Sequence, residues 1–406
     1  MKKLDGKRVS SIFIVVCFLL FLILALLGTL FREKEVYSYF ENRNLTQMPE
    51  VEASSVLSGQ WGSDVESYLA DHAAGRTTLL KWDTLLDMNI LQRPLVNEVV
   101  VTDDVLLPWN EYETVEDKAI ASQAKKLAKN VSTVAAVAES YGGRYYYVGV
   151  PCQYVFYEDA YPSYLNNRAE YTDASVTAVT KSLRDANVNF IDMGPVFAEN
   201  GWADYLTSTV DNHFSIYGAY LTYATILERI NTDIGGGIPV LSEEDSVVTE
   251  LPNLYLGSRS RKLFDLWQDG EKLSILEPKD PIPFTRTDNG KENVPMVYFA
   301  PANPWEDVTY FLYMGGDSPH TVIDTEREDL PSILIYGDSF TNAVECIMYC
   351  SFDEMHSLDM RYYTDMSLGD YIKKYQPDIV VCIRDYESII STDSNGQNAG
   401  WKNKKE

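Results

Sequence analysis

Histidine is scarce in this sequence, with 4 residues in 406, and basic side chains are outnumbered: 34 Lys and Arg face 60 Asp and Glu, a formal net charge of −26. A field of that sign repels phosphate backbones and anionic membranes, which argues against nucleic acid as a partner and reads most simply as a solvated acidic surface. The 5 cysteines show no Cys-x-x-Cys metal spacing, and one of them, Cys17, falls inside an apolar run. Neither a disulfide framework nor a metal site is implied, and no cofactor is expected. Cys346 and Cys350 could face each other on an expected helix, although two small buried apolar side chains describe them equally well. No internal repeat is present, and the only biased tract is a polar tail over 392–406.

One apolar run does stand out. From Ser10 to Phe31 the chain is uncharged and almost continuously hydrophobic, long enough for the ~20 residues a helix needs to cross a bilayer. Lys2, Lys3, Lys7 and Arg8 precede it, which places residues 1–9 in the cytoplasm and the remainder outside. A cleaved signal peptide is the alternative; the length of the run and the lack of a small-x-small cleavage site favour an uncleaved, single-pass anchor over 10–31.

A stalk is expected over 32–60 and an α/β domain over 61–391. Thr114 is positioned to cap a helix in which Ile120, Ala124, Leu127, Val131 and Val134 recur at three- and four-residue steps. An apolar run from Tyr145 to Val150, a helical segment from Ala174 to Leu183 and a run from Val188 to Ile191 come next, and the alternation resumes with Ile333–Tyr336, a helix from about Asn342, Ser357–Leu358, a helix around Tyr371 and Ile379–Ile383. Such alternation predicts a mainly parallel sheet covered by helices on both faces. Residues 243–329, rich in Pro, Gly and charge and without periodicity, read as an insertion that partly roofs the site.

Two short motifs carry chemistry. In Ile333-Leu-Ile-Tyr-Gly-Asp-Ser-Phe340 a serine, Ser339, stands where a buried strand gives way to a helix, at the carboxyl edge where open α/β sheets keep their sites. Its own N–H and those of the following turn are available to an oxyanion, and Gly337 suits a tight turn; as a structural alternative, Ser339 is a helix cap. In Val210-Asp-Asn-His-Phe-Ser215, Asp211 and His213 project to the same side of an extended segment just before a helix striped by Ile216, Tyr220, Tyr223, Leu227 and Ile230. The carboxylate can then orient one imidazole nitrogen while the other meets a nucleophile; a purely structural Asp–His pair fits the same spacing. None of His72, His320 and His356 follows an acid at that spacing before a helix. Arg384, ending the last expected strand, either contacts an anionic sugar or oxyanion or is a salt-bridged end residue, and Asn342 is a candidate oxyanion donor.

The Gly337–Phe340 stretch resembles the nucleophile block of SGNH hydrolases, and Asp211–Phe214 resembles the signature of the DHHW protein family and the related alginate O-acetyltransferase proteins AlgJ and AlgX. Glu41-Asn42-Arg43-x-Leu45, Asp71 with Arg76, Val99–Leu107, Gly257-Ser258, Phe311-Leu312 with Gly315-Gly316, Leu358-Asp359-x-Arg361-Tyr362-Tyr363 and Pro377–Val380 match in the same order. The resemblance implies an SGNH hydrolase-like, flavodoxin-like fold with a permuted motif order and a triad of Ser339, His213 and Asp211. Phe214 stands where the family has Trp, keeping an aromatic wall without the indole N–H. The same resemblance implies an extracytoplasmic O-acyltransferase that acetylates a cell-surface or exported polysaccharide, with a membrane-bound O-acyltransferase partner supplying the acyl group. A carbohydrate esterase and a non-catalytic polysaccharide-binding subunit are the alternatives.

Overall fold

The computed structural model describes residues 6–31, 34–41, 43–109, 115–165, 167–201 and 204–392. Thr114, the expected helix cap, Asn42 and the 393–406 portion of the polar tail lie outside them. The chain divides into two compact units, Met1–Asn97 with Ser260–Trp267, and Glu98–Arg259 with Gln268–Glu406. The unit holding the expected α/β domain thus starts near residue 98, not 61, and a short piece of the expected insertion belongs with the N-terminal residues.

The first unit is mainly helical, with α1 (Gly6–Phe31), α2 (Ala53–Ser58), α3 (Gln60–Asp71) and α4 (Arg76–Leu85) and one short antiparallel pair, Tyr37–Ser38 with Arg43–Asn44. Val9–Phe31 carries no charged side chain and is almost wholly exposed, so α1 is long and apolar enough to cross a membrane. Two of the short motifs are ion-pair clamps here. Arg43 reaches the Asp71 carboxylate with both terminal nitrogens, and Arg76 does the same to Glu41. Together with the Thr46 N–H and hydroxyl, the Arg43 guanidinium holds the Asp71 carboxyl well below the usual carboxylate range.

The second unit is an α/β layer structure. In chain order it contains α5 (Asp117–Glu139), β1 (Arg144–Val150), α6 (Ala169–Asp185), β2 (Asn189–Asp192), α7 (Ile216–Ile234), β3 (Thr285–Asp288), β4 (Lys291–Asn293), β5 (His320–Asp324), β6 (Ile333–Gly337), α8 (Phe340–Met348), β7 (Glu354–Asp359), α9 (Leu368–Tyr375) and β8 (Ile379–Asp385). Among the described residues these strands form one sheet of order β4-β3-β5-β7-β6-β8-β1-β2. The five strands from β7 to β2 are parallel; β3, β4 and β5 extend the sheet antiparallel from β7.

Burial follows the sequence pattern. Ile120, Ala124, Leu127, Val131 and Val134 form the covered stripe of α5, and every residue of β6 is buried, as a strand sandwiched between helical layers must be. The chain moves outward from β1 to β2 on one side and from β6 to β7 on the other, which leaves a crevice at the carboxyl edge between them. Residues 243–329 differ from expectation. They supply β3 to β5 of the main sheet and a separate hairpin, Ser246–Glu250 with Ser274–Pro278. All five cysteines are free, and the four beyond α1 are buried, in keeping with their reading as small apolar side chains.

Candidate active site

Ser339 follows β6 by two residues, and Gly337 is needed there for space. A Cβ at Gly337 would lie 2.2 Å from the Ile383 carbonyl oxygen of neighbouring β8, so close strand approach, not turn conformation, selects glycine. The turn into α8 uses most of its amides locally. Asp338 accepts from the Phe340 N–H through its side chain (3.0 Å) and from the Thr341 N–H through its carbonyl (2.9 Å), and Ser339 O accepts from the Asn342 N–H (3.2 Å). The following turn is therefore less open to an oxyanion than its sequence suggested. The Ser339 N–H makes no hydrogen bond among the described residues.

Asp211 and His213 sit in a loop closed by an antiparallel bridge between Thr207 and Phe214, immediately before α7, whose first turn Ser215 caps by accepting from the Tyr217 and Gly218 amides. One Asp211 oxygen accepts from His213 Nδ1 at 2.5 Å and from the His213 N–H at 3.1 Å; the other accepts from the Ser258 N–H at 2.5 Å. His213 Nε2 lies 2.7 Å from Ser339 Oγ. The three expected residues converge within hydrogen-bond reach although Ser339 lies 126 positions beyond His213 in the chain. Burial raises the Asp211 carboxyl's affinity for a proton, but the adjacent imidazole and the hydrogen bonds from His213 and Ser258 outweigh it and hold the group well below the usual carboxylate range. Asp211 therefore stays ionised beside the imidazole.

Three further contacts frame this arrangement. Gly257 passes so close to the Asp211 segment that a Cβ there would lie 2.3 Å from Val210 O, and this closeness delivers the Ser258 N–H to the carboxylate. The Tyr310 ring stacks on His213 with centroids 3.7 Å apart and planes 6° from parallel. Glu271 accepts from the Ser208 hydroxyl and from the Thr209 N–H and hydroxyl, bracing the loop from its other side, and burial pushes its carboxyl up to about 7. Neither Tyr310 nor Glu271 carries a signal of its own in the sequence. Each is one aromatic or acidic residue in an aperiodic stretch.

The other expected site residues are placed differently. Phe214 is buried edge-on against Phe340, so it is a core residue and Tyr310 provides the aromatic surface on the imidazole. The Asn342 side chain donates one of its two N–H groups to Asp317 (3.1 Å), which also accepts from Arg361 (2.8 Å), so the amide is oriented by that network. Arg384 is buried and ion-paired with Asp338 at 3.3 Å, the salt-bridged alternative. Arg361 lies at the same edge, since β7 ends at Asp359 opposite Gly337, and it donates to both oxygens of Asp359. Among the described residues, no group of His, Cys, Asp and Glu side chains is placed to hold a metal ion.

Residues 102–259, which include Asp211 and His213, match the family model described as the SGNH hydrolase-like domain of the acetyltransferase AlgX. Bacillus cereus PatB1 has a similar solved structure, at 19% identity and TM-score 0.62 over 74% of this chain and 99% of that one. PatB1 carrying a sulfonyl adduct compares at 21% identity and TM-score 0.60, covering 74% and 97%. A DHHW family protein from Eubacterium siraeum is 18% identical with TM-score 0.54, covering 76% and 97%. At these identities the likeness to solved structures establishes the fold. No curated protein matches this chain.

Proposed function

Because this chain carries an SGNH hydrolase-like domain matching the AlgX acetyltransferase family over residues 102–259, we propose that it is an extracytoplasmic O-acyltransferase that acetylates hydroxyls of a cell-surface or exported polysaccharide. The observation that carries this reading is the continuous hydrogen-bonded line from Asp211 through His213 to Ser339, at 2.5 and 2.7 Å. Ser339 Oγ attacks the acyl carbonyl of the donor while His213 Nε2 takes its proton, and Asp211 fixes the imidazole tautomer and stabilises the imidazolium. The Ser339 N–H, without a protein partner among the described residues, faces the developing oxyanion. The imidazolium returns its proton to the leaving group, leaving an acyl-Ser339 ester. A sugar hydroxyl, deprotonated by His213, then attacks that ester and restores the serine.

The triad distances count against a non-catalytic, polysaccharide-binding role, which would leave no reason for a serine hydroxyl to be held 2.7 Å from an oriented imidazole. In this reading α1 is the retained membrane anchor, and a membrane-bound O-acyltransferase supplies acyl groups from the cytoplasmic side, since no soluble acyl-CoA is present outside. The test is incubation of the protein with an activated acetyl ester and candidate oligosaccharides. Acetylated sugar, measured by mass spectrometry in excess over free acetate, supports the transferase; free acetate alone, with every oligosaccharide unmodified, would make the protein an esterase.

A further inference from the structure

Four large apolar side chains stand along one line of α4 and the helical turn Leu86–Ile90 that continues it. Leu79, Trp82, Leu86 and Ile90 are 66%, 64%, 44% and 68% exposed. Steps of three, four and four residues put them on one face of a helix, with the exposed carboxylate Asp83, four residues after Leu79, at its margin, and Thr84, on the opposite face, is buried. Exposed apolar stripes of this kind mark a surface that something else covers.

The start of α4 is tied to the end of α1. The Ala74 N–H donates to Thr29 Oγ1 at 3.0 Å, and a Cβ at Gly28 would lie 2.9 Å from the Ala74 Cβ, so glycine is what lets the two segments touch. Lys34 Nζ also donates to the Thr29 carbonyl. Thr29 is in the last turn of the 23-residue stretch Val9–Phe31, which at 1.5 Å per residue spans about 35 Å, slightly more than the ~30 Å of a bilayer's hydrocarbon core. Ala74 therefore sits at the level where hydrocarbon gives way to headgroups, and α4 begins two residues later, at Arg76.

We propose that α4 and its continuing turn form an interfacial helix, laying Leu79, Trp82, Leu86 and Ile90 into the headgroup–acyl boundary of the bilayer that α1 spans. This rests on α1 being a membrane span. Tryptophan favours that level of a membrane, and a helix with one apolar face is the form that lies in its plane. With a net charge of −26 the protein gains nothing from anionic lipid, so apolar burial drives the contact and added salt leaves it unchanged. The helix steadies the anchor unit on the membrane surface, a task a single span, free to rotate and tilt, does not perform.

The test uses the full chain in phosphatidylcholine nanodiscs doped with a diazirine-bearing phosphatidylcholine, with adducts mapped by peptide mass spectrometry after irradiation. Lipid adducts are expected in α1 and in residues 76–93. The combined variant L79E, W82E and L86E, altered only at exposed positions and checked by near-UV circular dichroism, is expected to keep the α1 adducts and lose those at 76–93. Adducts confined to α1 in the unaltered protein overturn the proposal while leaving the anchor intact, and adducts at 76–93 that survive the triple substitution overturn it as well. Absence of adducts in α1 removes the span and the proposal with it. A detergent-solubilised dimer that becomes monomeric in the triple variant would assign the stripe to a second copy of the chain and contradict the membrane assignment.

Discussion

Removing the Ser339 hydroxyl and removing the Asp211 charge perturb the site in different ways. Ser339 is half-buried and ends the hydrogen-bonded line, so Ser339→Ala should abolish adduct formation with a sulfonyl fluoride while changing stability by about 1 kcal/mol or less. Intact-mass spectrometry and a thermal melt check the two halves of that statement. Asp211 accepts three N–H groups, on both of its oxygens, whereas an asparagine offers one acceptor oxygen. Asp211→Asn must therefore set an NH2 against either the Ser258 amide or the His213 donors. A loss in kcat on the order of 10³–10⁴-fold, together with a lowered melting temperature, is expected from the lost tautomer control and that donor clash; an unaltered acylation rate would remove Asp211 from the mechanism. Glu271 gives a pH prediction. Burial keeps its carboxyl protonated up to about 7 against a usual 4.5, so between those values the folded protein holds a proton that the unfolded chain has released. Its contribution to stability accordingly falls as pH rises through that window, by up to about 3 kcal/mol in all. Glu271→Gln does not titrate, so its melting temperature relative to the unaltered protein should rise between about pH 5 and about pH 8; a constant difference would mean that Glu271 is ionised throughout. The Asp-x-His pair and the serine were legible because each breaks a regular pattern at the start of a helix. Tyr310 and Glu271 were not, because their roles exist only through contacts made in the folded chain.

Elements fed by long apolar runs were read from sequence close to where they stand, and elements made of short polar strands were not. The runs at Tyr145–Val150, Ile333–Tyr336 and Ile379–Ile383 became three neighbouring strands of the parallel sheet because strands covered on both faces must be continuously apolar. The antiparallel extension has no such signature. Its outermost strand β4 reads Lys-Glu-Asn and lies at the sheet edge, where polar side chains are tolerated, and β3 beside it reads Thr-Arg-Thr-Asp. Arg286 in β3 is buried and works across elements. Its guanidinium donates to the Met296 and Met314 carbonyls at 2.8 and 2.7 Å and to Asp288 at 3.0 Å, which fixes the chain on both sides of the segment bearing Tyr310. Arg286→Met would leave two carbonyls and a carboxylate without that partner, and a loss on the order of 3–5 kcal/mol is expected in denaturant unfolding. A loss below about 1 kcal/mol would mean that water replaces the guanidinium and that this tie is dispensable. Three side chains near the motifs are placed by contacts that no sequence pattern announces. Phe214, Asn342 and Arg384 all lie within a few residues of the motifs or at the end of a neighbouring strand, and nearness to a site does not determine which way a side chain points.

At the scale of the whole molecule, one compact unit carries Asp211, His213 and Ser339 and the other carries α1. Thr29 and Gly28 of α1 are built into contacts with Ala74, so cleavage after α1 would strip the first unit of part of its own packing. The membrane fraction is therefore expected to contain a chain that retains α1, checked by N-terminal sequencing; a secreted chain starting beyond Phe31 would contradict this. The long apolar helix was legible from a single stretch of sequence, whereas the division into units was not, because it depends on which distant segments touch. The central claim is that Ser339 carries the acyl group in transit. Its most direct measurement is peptide mapping of the full-length protein after brief exposure to an activated acetyl ester, on the unaltered chain and on Ser339→Ala. The account predicts one acetyl group, located on Ser339, discharged when an acceptor oligosaccharide is added and absent from the folded Ser339→Ala protein. An acetyl group found on another residue and persisting in that variant would contradict it.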